Sequence, residues 1–126
     1  MPLVRISLLK GRNEAHKHAL CEAAYEALRE AFGIPEDDKF VVMHEHARDE
    51  FVYAASYLGV AHDDGLVIVQ ITANEGRTVE QKKALYKAIA ERFQTAAGVE
   101  PRNVLINLVE VKKENWSFGD GVAQYA

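Results

Sequence analysis

A chain of 126 residues, 48% of them apolar, is one domain's worth of protein and can bury a real core. Its formal charge of −4 and isoelectric point near 5.7 argue against nucleic acid or an anionic membrane as a partner. No apolar run has transmembrane length, no signal-like segment opens the chain, and Cys21 is the single cysteine, so no internal disulfide forms and a cytoplasmic setting is expected.

The chain opens Met1-Pro2 and runs into Leu3–Leu9, whose residues read as a β-strand. Methionine before proline is normally trimmed, so the mature chain is expected to begin with the secondary amine of Pro2. Such an amine acts as a general acid or base or attacks a carbonyl; the plainer reading is a proline that starts a strand, where its missing N–H costs nothing. A Gly11-Arg12 turn follows, then a helix over about 13–32 with a stripe at Ala19, Leu20, Ala23, Ala24, Ala27, Leu28, Ala31 and Phe32. Cys21 sits in this helix beside Leu20 and reads as packing. Gly33 stops the helix and Pro35 forbids its continuation. Phe40–His46 closes the unit as a second strand.

The connector from Ala47 to Gly65 carries Phe51, Val52, Tyr53, Tyr57 and Leu58, too long and apolar for a plain linker; it is expected to form a short hairpin or to cover an edge. Then the pattern repeats. Leu66–Ala73 reads as a strand, Gly76-Arg77 as a turn, and 78–97 as a helix with Ala84, Leu85, Ala88, Ile89, Phe93, Ala96 and Ala97 on one face. Thr78 and Gln81 have capping-box spacing. Gly98 and Pro101 end the helix, and Val104–Val111 closes the second unit.

The two halves are copies. An offset of 65, with no gap, puts Val4 on Val69, Ile6 on Ile71, Gly11-Arg12 on Gly76-Arg77 and Lys17 on Lys82. It also matches Ala19-Leu20 with Ala84-Leu85, Glu26 with Glu91, Gly33 with Gly98 and Glu45 with Glu110. Two β-α-β units, about 2–46 and 66–111, with an aromatic tail over 112–126, make one domain spanning 1–126. Each unit closes with parallel strands and a right-handed crossover. The expected fold is therefore α+β in two layers: a four-stranded sheet with both helices on one face. Leu66-Val67-Ile68-Val69 and Val104-Leu105-Ile106 are apolar on both sides of the pleat, which predicts burial of the bare sheet face in a homo-oligomer.

The tail, Trp116-Ser117-Phe118-Gly119-Asp120-Gly121, suggests a tight loop bearing two aromatics, or a hairpin packing on a neighbouring subunit. His44-Glu45-His46 sets two imidazoles on one strand face, but no third ligand lies nearby in sequence, and neither a metal nor a cofactor is expected. His16 and His18, two apart on a helix, do not face each other.

These features together resemble the tautomerase superfamily. The resemblance rests on Pro2-Leu3, the Gly11-Arg12 turn, Phe32-Gly33-Ile34-Pro35 with Asp38 following, and the Trp116–Gly121 segment, and it covers almost the whole chain. The simplest member, 4-oxalocrotonate tautomerase, is one such unit. Longer members are two fused units assembling as trimers, and this chain is most similar to those of the malonate semialdehyde decarboxylase group. The resemblance implies a homotrimer acting on a small oxo-carboxylate. It makes Pro2 the catalytic amine, Arg77 the binder of the substrate carboxylate, and Asp38 an acid that activates water or sets the proline's protonation; the plainer reading of Asp38 is a turn acid paired with Lys39. Trp116 and Phe118 would wall the pocket. A guanidinium suits the Arg77 role because its rigid fork matches a carboxylate.

One departure bears on the reaction. The decarboxylase pattern has two neighbouring arginines after the second unit's first strand; here Asn74-Glu75-Gly76-Arg77 has one, and Asn74 supplies a hydrogen bond without a charge. Arg12 is the copy of Arg77, but Val67 stands where a second Pro2 would be. Three readings follow: decarboxylation of malonate semialdehyde or a similar 3-oxo acid; keto–enol tautomerisation of a 2-oxo acid of the phenylpyruvate or 4-oxalocrotonate kind; and a non-catalytic trimeric binding protein. Asp38, Trp116 and Phe118 favour the first, and the lone Arg77 favours the second.

Overall fold

The structure, a computed structural model, describes residues 2–126; Met1, whose removal the sequence predicts, lies outside the described residues. The chain order is β1 (Leu3–Leu9), α1 (Glu14–Phe32), β2 (Val41–His46), β3 (Ser56–Tyr57), β4 (Val60–Ala61), β5 (Val67–Asn74), α2 (Val79–Ala97) and β6 (Val104–Val111). Short 3₁₀ turns lie at Arg48–Glu50, Pro101–Asn103 and Lys113–Asn115.

Both helices begin and end where local chemistry dictates. Asn13 and Thr78 are caps rather than helical residues: Asn13 Oδ1 accepts the His16 N–H at 2.8 Å, and Thr78 and Gln81 form a reciprocal capping box. Gly33 (φ 64°) and Gly98 (φ 67°) close them in the left-handed region, which favours glycine. The two helices have 19 residues each and are related by the offset of 65. β5 starts one residue later than the sequence predicts, because the Leu66 N–H is spent on the Asp63 carbonyl in the preceding turn.

The sheet order is β2-β1-β5-β6. Each β-α-β unit is parallel, with Val4 opposite Val41 and Val67 opposite Val104. The units join antiparallel through β1 and β5, Leu3 facing Thr72 and Ser7 facing Ile68. Val4, Ile6 and Leu8 of β1 and Val67, Val69 and Ile71 of β5 point to the helices and are almost fully buried with Leu20, Leu28, Leu85, Ile89 and Phe93. Burial of each such large side chain contributes about 1.5–3 kcal/mol.

The other face is open in the single chain. It carries Ile68, Leu105 and Val109, as the apolar pattern predicts, but these alternate with polar pairs: Gln70 donates to Asn107 at 3.1 Å, and Arg5 lies 3.1 Å from His44 Nε2. The connector forms a 3₁₀ turn and the small β3–β4 hairpin.

The copying reaches side chains. Lys17 pairs with Glu45 in the first unit, and Lys82 pairs with Glu110 at 2.8 Å in the second. It also continues beyond the units: the 3₁₀ turn Arg48–Glu50 recurs as Lys113–Asn115, and the ring pair Phe51 and Tyr53 recurs as Trp116 and Phe118.

Candidate active site

The antiparallel β1–β5 junction puts the start of one strand beside the end of the other. Leu3 pairs with Thr72, and the Val4 N–H donates to the Phe40 carbonyl at 3.0 Å. Pro2, just before β1 and buried, therefore lies at the sheet end where the segment entering β2 brings Asp38 and the segment leaving β5 brings Asn74 and Arg77.

Asp38 sits in the turn after α1, its N–H donating to the Pro35 carbonyl at 3.1 Å. Partial burial pushes its carboxyl above the ordinary aspartate range; Asp37 adds to the rise, and the Arg77 guanidinium opposes it. Lys39 does not serve Asp38 as an ion-pair partner; it pairs with Glu22 and lies over the Tyr25 ring.

Arg77 follows Gly76, whose φ of 118° turns the chain from β5 toward α2. Its Nη1 donates to the Asn74 carbonyl at 3.0 Å, and its guanidinium carbon lies 4.7 Å from the ring centre of Phe32 at the end of α1. The second unit thus supplies the cation and the first its aromatic support.

Asn74 is 8% exposed, and its Oδ1 accepts the Trp116 indole N–H at 2.8 Å. Indole only donates, so this bond orients the amide and keeps its NH₂ group available for another acceptor. Trp116 stacks on Phe118 at 5.5 Å, and Phe118 meets Tyr125 edge-on at 5.0 Å.

Two clefts open here. One, of about 420 Å³, is lined by Asn74, Glu75, Arg77, Gln81, Lys113 and Tyr125. The other, about 310 Å³, is lined by Pro35, Asp37, Asp38, Phe40, Phe118 and Tyr125. Asn74 and Arg77 share the first; Asp38 and Phe118 share the second; Pro2 and Trp116 line neither. Tyr125 borders both.

Sequence reasoning missed Lys113 and Tyr125. Lys113 places a second cation in the Arg77 cleft, though it comes from the tail rather than from beside Arg77 in sequence. Its Nζ lies 6.0 Å from the Tyr125 ring centre. Only the return of the tail to the sheet end reveals either residue. His44 and His46 share a strand face with ring centres 6.5 Å apart; among the described residues, no group of three metal-ligating side chains gathers.

Comparison with known proteins gives this geometry a family. Two family models, both described as tautomerase enzyme, match residues 2–61 and 38–119. The probable tautomerase YusQ of Bacillus subtilis is 40% identical over 98% of each chain, and the probable tautomerase YrdN of the same organism is 31% identical over 99% of this chain and 96% of its own. The solved structure of a malonate semialdehyde decarboxylase superposes with a TM-score of 0.91 at 31% identity, over 98% of this chain and 95% of that one. The chain belongs to the tautomerase superfamily. It is an enzyme of the fused, two-unit kind, and its fold matches that of malonate semialdehyde decarboxylase closely.

Proposed function

We propose that this enzyme uses the Pro2 amine to decarboxylate malonate semialdehyde or a similar small 3-oxo acid. The observation that carries this reading is the cleft in which Arg77, Lys113 and the oriented amide of Asn74 meet, at the sheet end that also holds Pro2 and Asp38. The match to malonate semialdehyde decarboxylase over nearly the whole chain supports it.

In this reading Arg77 grips the substrate carboxylate with its two-pronged donor. An ionised Asp38 favours the protonated form of the Pro2 amine, and that cation polarises the aldehyde oxygen. The bond between the carboxylate carbon and C2 breaks, its electron pair flows into the carbonyl, and carbon dioxide leaves. A proton then returns to C2, giving acetaldehyde. Lys113 and the Asn74 NH₂ stabilise negative charge as it moves, an effect strengthened where Trp116 and Phe118 exclude water. The assembly is a homotrimer, as in the related Q0 fused 4-OT symmetric trimer, which is 26% identical with a TM-score of 0.78.

A neutral Pro2 would instead shuttle a proton between carbon and oxygen of a 2-oxo acid. The 40% identical relative is named a probable tautomerase, which favours this second reading. Side-by-side assays decide between them. Carbon dioxide release from malonate semialdehyde is expected, falling by orders of magnitude in Pro2→Ala, and intact mass of the native protein is expected to show a chain starting at Pro2. Rapid ketonisation of phenylenolpyruvate without any carbon dioxide release would transfer the assignment to the tautomerase.

A further inference from the structure

The offset of 65 that relates the two units also relates the Arg77 cleft to a second one, and we propose that this second cleft, around Arg12, binds a small carboxylate without reacting with it. The cleft measures about 410 Å³ against about 420 Å³ for its counterpart. Lys10, Gly11, Arg12, His46, Arg48 and Asp64 contribute to its lining. Gly11 and Gly76, with φ of 121° and 118°, make the same turn just before Arg12 and Arg77.

The charges in this cleft are unevenly compensated. Asp64 receives Arg48 at 2.7 Å and the Tyr53 hydroxyl at 2.6 Å, so its carboxylate is already engaged. Among the described residues Arg12 reaches only the Asp64 backbone carbonyl, through Nη2 at 3.3 Å. Its Nη1 is buried and, among the described residues, has no hydrogen-bond partner; the same holds for His16 Nε2 in the first turn of α1. Lys10 makes no ion pair among the described residues and adds a second cation. A buried polar atom left without a partner is costly, and a bound anion relieves that cost at Arg12 by accepting from its guanidinium. His16 does not line the cleft, but burial and then the Arg12 charge hold its pKa down. A carboxylate beside Arg12 offsets that repulsion.

The cleft lacks a counterpart of the Pro2 amine. Val67, fully buried, occupies the position that Pro2 holds in the other unit. Leu9 replaces Asn74 at the rim, and Phe51 and Tyr53, the counterparts of Trp116 and Phe118, do not line it. A bound acid therefore meets a cationic seat and no proline amine.

The test uses malonate as the probe and the His16 ring as the reporter, followed by NMR in the full-length protein, its resonances assigned with His16→Gln. Malonate should shift the His16 signals saturably and raise the pH at which they titrate. Arg12→Gln should weaken that binding at least tenfold, and Arg12→Lys, which keeps the charge and loses the fork, should weaken it less. Should Arg12→Gln not fold, Lys10→Gln at the exposed rim should still weaken binding several-fold. The response should survive Arg77→Gln, which separates this cleft from the proposed catalytic one. No saturable His16 response, or a response lost in Arg77→Gln and kept in Arg12→Gln, overturns the proposal.

Discussion

The Trp116 indole N–H donates to Asn74 Oδ1 at 2.8 Å, joining the tail to the end of β5 across 42 positions of sequence. The bond does two things at once. It anchors the aromatic stack of Trp116, Phe118 and Tyr125, and it turns the Asn74 NH₂ group away from the indole. Trp116→Phe keeps the ring and removes the bond, leaving Asn74 free to flip. A part-buried hydrogen bond of this kind contributes about 0.5–1.5 kcal/mol, so the melting temperature should fall by a few degrees. kcat should fall more than that loss of stability accounts for. An unchanged kcat at a lowered melting temperature would make the bond structural only.

Lys113 supplies the charge that Asn74 lacks. Decarboxylation moves negative charge from the carboxylate toward the carbonyl oxygen, whereas ketonisation of an enol keeps its carboxylate intact throughout. Lys113→Gln should therefore lower carbon dioxide release by about tenfold to a hundredfold, in line with loss of one electrostatic donor, and lower ketonisation less. Equal losses in both assays would assign Lys113 to carboxylate binding alone.

Asp64 offers a pH test of stability in the other half. Hydrogen bonds from Arg48 and Tyr53 hold its carboxyl down at about 2, below the ordinary 3.8. A depressed folded-state pKa stabilises the fold above 3.8, and this contribution disappears as the pH falls through about 2. Asp64→Asn should lower the melting temperature at pH 6 and flatten its decline between pH 4 and 2. The group is exposed, so added salt should shrink the difference.

Assembly can be read directly. Phe40, Val42, Val60, Leu105 and Val109 are large apolar residues between 38% and 49% exposed in the single chain, more than a monomer readily leaves in water. Light scattering at micromolar concentration should give about three times the 14.1 kDa chain mass. A monomer at that concentration would remove the trimer.

The features legible in the sequence are those governed by local rules. Asn13 and Thr78 start the helices, Gly33 and Gly98 stop them, and alternation in Leu3–Leu9 marks a strand with one buried face, because each depends on backbone chemistry within a few residues. The duplication was legible for the same reason: one offset preserves every turn and cap. The repeated Lys17 and Glu45 were visible as identities with Lys82 and Glu110, but their pairing needed the crossover that lays each helix beside its closing strand, 28 positions away. Asp38 and Arg77 could be named beforehand through the family resemblance carried by the Gly-Arg turns and the Phe32-Gly33-Ile34-Pro35 segment. The partners Lys113 and Tyr125 could not. No periodicity tells where a tail of turns and glycines will run, and its path is set by the Trp116 bond to Asn74 and by ring contacts among residues far apart in sequence. Local propensity thus determined the elements and their copies, while the second cation of the Arg77 cleft was decided by long-range packing, whose contacts exist only after the chain has folded.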